Sequence, residues 1–259
     1  MDFQNMQKHL NQMMNKQNNR SIPEFEGYSP AEMHQILHFT FGKESPLKLK
    51  KLSDSDYKKI PMLNQIKYLT DLIDRKGELR LTRRGYLPTK TVSELYEQKF
   101  LKDKFIEEGI QKLYKETDSM TINLTRILTE LSKLVKKRNG KLSLTKSSRK
   151  ILADDYKLLR LIFSTFATKF NWAYYDRYPG MKTGQLGYGF SLILLSKYGH
   201  KKRLDSFYAE KYLNAYPRLL DAVEPDNVEN LKDQMNRCYS LRTFDRFLKY
   251  FGLINIYKK

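Results

Sequence analysis

The chain has 259 residues, 40% hydrophobic and 13% aromatic. That suffices for one large or two ordinary domains with a real core and rules out wholesale disorder. Lys and Arg number 48 against 29 Asp and Glu, a formal charge of +19, which points either to a polyanionic partner (DNA, RNA or an acidic surface) or to the Lys-rich composition of an AT-rich genome.

The single cysteine, Cys238, cannot form an internal disulfide and has no companions for a zinc site, which fits a cytoplasmic protein. The longest apolar run, around Phe190–Leu195, is too short to span a bilayer, and no secretory signal is seen. No membrane partner is expected.

Residues 1–21 form an N-terminal tail. Phe3, Met6, Leu10, Met13 and Met14 fall at helical spacing, so the tail is either a frayed amphipathic helix or disordered. Residues 22–58 form an N-terminal helical segment. Ser29 is the N-cap, Pro30 takes the first helical position and Glu32 closes a capping box; Met33, Ile36 and Leu37 face inward.

Residues 59–116 make a first helix–hairpin–helix module. A stripe at Met62, Leu63, Ile66, Leu69, Leu72 and Ile73 predicts a helix, Leu79 and Leu81 alternate as a half-buried strand, and Pro88 opens the next helix. A further helix is predicted from Asp103 to about Lys115. Residues 117–176 make a second module, with a helix over Ile122–Val135, an Asn139–Gly140 hairpin turn and a helix from about Asp154 to Phe170. Residues 177–259 make a C-terminal helical module. Its last helix carries Leu241, Phe244, Phe247, Leu248 and Phe251, Gly252 stops it, and "LINIY" reads as a closing strand.

The two modules share a phrase. "GELRLTRRGYL" at Gly77–Leu87 returns as "GKLSLTKSSRKIL" at Gly140–Leu152. A helix, a short strand, a glycine turn and a strand ending in Leu-Thr resemble the wing of winged-helix proteins, and "LSLTKSS" and "LRLTRRG" resemble the last wing strand of bacterial winged-helix regulators. The resemblance implies a mainly α fold with short β-hairpins, built of repeated winged-helix-like modules packed in one compact body. Winged helices serve DNA binding and also protein docking. A second resemblance lies in "IPEFEGYSPAEMHQIL" at Ile22–Leu37 and "YSLRTFDRFLKYFGLINI" at Tyr239–Ile256, which are similar to an uncharacterised group of bacterial proteins sharing an SPxxMHxxL segment. Some members of that group carry a Cys-rich SEC-C zinc motif. It is absent from this chain, so no zinc function carries over.

Few residues suggest catalysis. His34 and His38 lie four apart on a helix, but Gln35 stands where a zincin protease needs Glu, so no metal site and no cofactor are assigned. "GQLGYGF" at Gly184–Phe190 lacks the Lys-Ser/Thr ending of a phosphate loop, and no constellation demands an enzyme. In "KFNWAYYDRYPGMKTGQLGYGF" aromatics interleave with cations, which reads first as a packed core corner beside a glycine-rich loop and second as a base-stacking surface, with Tyr175, Arg177 and Tyr178 the members expected to be exposed.

The basic clusters are stronger. Lys136, Lys137, Arg138 and Lys141 ring the second hairpin, Lys146 and Arg149 follow it, and Arg83 and Arg84 hold the matching place in the first copy. Arg242, Arg246 and Lys249 share the polar face of the last helix. Cations at wings and on such helices are where a winged helix meets phosphate. The favoured expectation is non-enzymatic binding of nucleic acid, DNA or RNA, with hairpin cations on phosphate and helix faces on bases. The alternative is a protein-interaction or structural module that uses the same units as docking surfaces.

Overall fold

The computed structural model describes residues 3–178, 180–221 and 228–257. In chain order the longer helices are α1 (Phe3–Asn18), α2 (Pro30–His38), α3 (Pro61–Lys76), α4 (Thr89–Glu97), α5 (Met120–Leu131), α6 (Asp155–Thr168), α7 (Tyr188–Tyr198), α8 (Asp205–Ala215) and α9 (Val228–Tyr239). A run of π-helix, Ser240–Leu248, follows α9. The strands are β1 (Leu79–Arg80), β2 (Val135–Arg138) and β3 (Lys141–Leu144). The mainly α architecture with a short β-hairpin is therefore present. Backbone contacts divide the chain into two compact units: Met1–Lys50 with Arg177–Phe244, and Lys51–Asp176 with Asp245–Lys259.

The second unit is built around one sheet. Pro61 starts α3 at a position where its missing N–H costs nothing, and Gly77, at φ 70°, ends it. The stripe on α3 buries Met62, Leu63, Ile66, Leu69 and Ile73 completely. β1 then pairs with β3, not with a neighbour of its own, and β3 pairs with β2, both antiparallel, so the order is β1-β3-β2.

The two similar phrases thus do not fold into two hairpin modules. Leu79 of the first lies directly opposite Leu142 of the second. Residues 59–116 and 117–176 each supply part of one sheet, because a lone two-residue strand has no ladder of its own and is stable only against the hairpin edge. Leu79, Leu81 and Leu142 fill the inner face together with Leu69, Ile73, Val92, Leu95, Ile122 and Val135.

Two further expectations are corrected here. The helix predicted over Asp103–Lys115 is a single turn, Lys104–Glu107, since Gly109 takes φ 70° and turns the chain. "LINIY" forms no strand among the described residues. Gly252, at φ 66°, closes the last helix through bonds from its own N–H to Lys249 and from the Leu253 N–H to Leu248, and Leu253, Ile256 and Tyr257 stay exposed with no strand beside them.

In the first unit α2 begins as the sequence indicates. The Ser29 side chain accepts from the Glu32 N–H while Glu32 accepts from the Ser29 N–H at 2.8 Å, a complete capping box. Met33 and Ile36 enter a core with Phe190, Leu194, Ala209, Tyr212, Met235 and Tyr239. Gly189 on α7 is required by this packing: a Cβ there would sit 2.8 Å from Thr40 Cγ2 and 3.0 Å from the Ile36 carbonyl oxygen. α1 is helical and has no buried residue.

Candidate nucleic-acid interface

The outer face of the sheet gathers cations by register. Arg80 on β1 lies opposite Lys141 on β3, and Lys141 lies opposite Arg138 on β2. Directly opposed residues point to the same face, so three cations form one row across all three strands. All three are exposed. Lys136 shares the outer face opposite Ser143. The hairpin turn holds the row in place, with Asn139 at φ 49° and Gly140 at φ 69°, the left-handed pair of a type I′ turn. From Lys133 to Lys150 the chain carries eight cations and no carboxylate. One carboxylate reaches the row from outside that span: Lys141 Nζ donates to Glu78 at 2.7 Å and holds that carboxyl below its ordinary range.

Arg83 and Arg84 project from the tight turn after β1, closed by bonds from the Thr82 N–H to the Tyr86 carbonyl and from the Gly85 N–H to the Thr82 carbonyl, both 2.8 Å. Both arginines are exposed. Lys137 approaches this turn; a Cβ on Gly85, itself at φ 81°, would lie 2.7 Å from Lys137 Nζ. The turn is anchored from below. Glu116, wholly buried, accepts from the Leu87 N–H at 2.6 Å, from Arg126 Nε at 2.7 Å and from Asn123 Nδ2. Lys146 is exposed just after β3, and Arg149, also exposed, pairs with Asp74 at 2.7 Å.

The helix before the hairpin is not open to a groove. Thr121, Asn123, Thr125 and Thr129 on α5 are buried, Arg126 is taken by Glu116 and Glu130, and only Leu131 is exposed. Gln65 of α3 donates to Thr125 Oγ1 at 2.7 Å, and Tyr175 donates to Asn123 Oδ1. The polar groups of α5 satisfy the interior of the unit, so this helix presents no free polar face to base edges.

Arg242 and Arg246 are corrected in placement. Instead of facing solvent they are buried, at 1% and 7% exposure. Arg242 donates to the Met181 carbonyl oxygen. Arg246 donates to the carbonyl oxygens of Tyr175 at 2.7 Å and Trp172 at 3.1 Å, and pairs with Asp176, whose side chain is 1% exposed. The polar-face reading fails here because this π-wound run, Ser240–Leu248, is buried on both faces: Thr243, Phe247 and Leu248 are buried beside the two arginines, whose donors are met inside by backbone carbonyl oxygens. Lys249 alone of that trio is exposed.

The aromatic candidates also separate. Tyr175 is packed on Phe170 and held by Asn123, and burial pushes its phenol up. Arg177, exposed, and Tyr178, half-buried, belong to the first unit. The exposed ring is Tyr174, at 63%, edge-on to Phe170 and Tyr175 with exposed Lys169 nearby in sequence. Arg80 and Tyr174 are the residues that sequence reading passed over; the alternation of Arg80 between Leu79 and Leu81 was the available signal for the first, and adjacent tyrosines offered none for the second.

His34 and His38 are exposed with ring centroids 4.6 Å apart, and no group of three His, Cys, Asp or Glu side chains suited to a metal occurs among the described residues. Within "GQLGYGF", Gly187 at φ 67° starts α7 where a Cβ would strike the Tyr216 ring, and Tyr212 accepts from the Gly184 N–H and donates to the Leu186 carbonyl. No described helix is long and apolar enough to cross a membrane.

Residues 58–157 match the family model of the Y4jL N-terminal domain. This Y4jL-like stretch contains α3, the complete sheet, the turn of Arg83 and Arg84, and both Lys146 and Arg149; it stops short of Tyr175, Arg177 and the last helix. No curated protein and no solved structure matches the chain.

Proposed function

We propose that this protein binds nucleic acid without catalysis, gripping the phosphate backbone with the outer face of its three-stranded sheet. The cross-strand row of Arg80, Lys141 and Arg138 is the observation that carries the reading. Like charges placed directly opposite on a sheet are destabilising, by up to about 1 kcal/mol per pair, and an approaching line of phosphates turns that cost into attraction. Lys136 extends this face, while Lys137, opposite the buried Leu142, points to the other face and joins Arg83 and Arg84 at the neighbouring turn, with Lys146 exposed just after β3. The element order of helix, strand, helix, helix and hairpin, with the first strand against the last, resembles a winged helix and supports the reading at the level of the fold.

The covering of α5 shapes what such binding can achieve. Phosphate contacts position a protein but carry no base information, and the helix that would read bases is enclosed. The binding is therefore tolerant of sequence. The test is fluorescence anisotropy of the whole chain with labelled duplex DNA and single-stranded RNA. Binding of either at physiological salt, equal for unrelated sequences of one type, is the expected result; no binding at low salt overturns it. The enclosed α5 also favours the second reading, a docking unit for another protein, which the absence of binding would leave standing.

A further inference from the structure

The first unit holds an open-sided cavity of about 490 Å³, a size suited to a small ligand. The loop before α8 supplies Lys202 and Arg203, and Lys232 reaches it from α9. Arg203 is pre-oriented: its guanidinium carbon lies 4.6 Å from the centroid of the Phe207 ring and 5.4 Å from that of Tyr198. A planar guanidinium held this way keeps its N–H fork for an oxyanion.

The remaining lining is of a different kind. Glu210 brings a carboxylate and Asn236 a carboxamide, and the Asn236 side-chain oxygen is buried with no hydrogen-bond partner among the described residues. A carboxylate accepts from hydroxyl groups and a carboxamide both donates and accepts, so these two lining residues suit a hydroxylated ligand. Three cations and two further polar side chains in one lining suit a single molecule that carries both an anionic group and hydroxyl groups.

We infer that this cavity binds a small organic phosphate bearing hydroxyl groups, with the phosphate at Lys202, Arg203 and Lys232 and the hydroxyls at Glu210 and Asn236. Sugar phosphates and nucleoside monophosphates share this chemistry. The site lies in the unit that lacks the sheet, so it stands or falls apart from nucleic-acid binding.

The experiment is titration calorimetry of the whole chain at constant ionic strength with three probes: inorganic phosphate, ribose 5-phosphate and adenosine monophosphate. Ribose 5-phosphate is expected to bind more tightly than inorganic phosphate. A further gain with the adenosine compound marks a nucleotide as the natural ligand, and no gain marks a sugar phosphate.

Lys232→Glu should weaken ribose 5-phosphate by about tenfold. Glu210→Gln should weaken it while leaving inorganic phosphate unchanged. Both residues are exposed, so the variants keep the fold, which a thermal melt verifies. Replacing Lys136, Lys137 and Arg138 together by Gln should change none of the three titrations. The inference is overturned by an absence of heat with every probe, by ribose 5-phosphate binding no better than inorganic phosphate, by indifference to Lys232→Glu, or by loss of binding in the sheet variant.

Discussion

Arg246 donates to the carbonyl oxygens of Trp172 and Tyr175 and faces an Asp176 side chain that is 1% exposed. Arg246→Met would take the ion pair from that buried carboxylate and the donors from two buried carbonyl oxygens, so it should lower stability by about 3–5 kcal/mol in urea unfolding while leaving polyanion affinity intact. Glu26, at the start of the first unit, shows the opposite use of charge. Burial acts to raise its pKa, but hydrogen bonds from Lys211 at 2.6 Å and Tyr198 at 2.5 Å outweigh that and hold it below the ordinary value of 4.5. A depressed carboxyl stabilises the fold above its unfolded pKa, and the contribution is lost as pH falls through the lowered value. Acid titration of the first unit's stability should therefore show a loss below about pH 4.5 that Glu26→Gln removes. Glu78 makes a third case. Glu78→Gln releases Lys141 from its exposed pair, and polyanion affinity should rise, by no more than about fivefold for so solvated a pair. At this scale the sequence is least informative. Tyr174 and Tyr175 are neighbours of the same type, and their opposite fates depend on Asn123, 52 residues away.

Elements whose cause is local were readable in the sequence. The α2 capping box needs only Ser29, Pro30 and Glu32, the hairpin turn needs only Asn139 and Gly140, and the α3 stripe needs only its own spacing. What escaped was pairing. Leu79 meets Leu142 across 63 positions, and two similar phrases invited the reading of two hairpins where the chain makes one sheet. Gly109 cut a helix that spacing alone would have continued, and Ser240–Leu248 is buried on its polar as well as its apolar face, which encloses Arg242 and Arg246. The sheet gives the element-scale prediction. Leu142 is fully buried on the middle strand, so Leu142→Ala should cost about 2–5 kcal/mol and release both edge strands together. Amide exchange should then accelerate in β1 and β2 alike. Acceleration in β2 alone would contradict the shared sheet.

Over the whole molecule the charge of +19 says that polyanions are attracted but not where. In the function proposed above, register supplies the place: three strands bring Arg80, Lys141 and Arg138 into one row, while the enclosed α5 offers no reading face. The similarity to the Y4jL N-terminal domain covers this same stretch. The most direct test compares the salt dependence of duplex binding by the whole chain and by the variant with Arg80, Arg138 and Lys141 all changed to Gln. Each phosphate released from contact lowers the slope of log K against log salt by about 0.9, so the variant should lose between about 2 and 3 from its slope. An unchanged slope, with the variant still folded, would contradict the claim that this row meets the phosphate backbone.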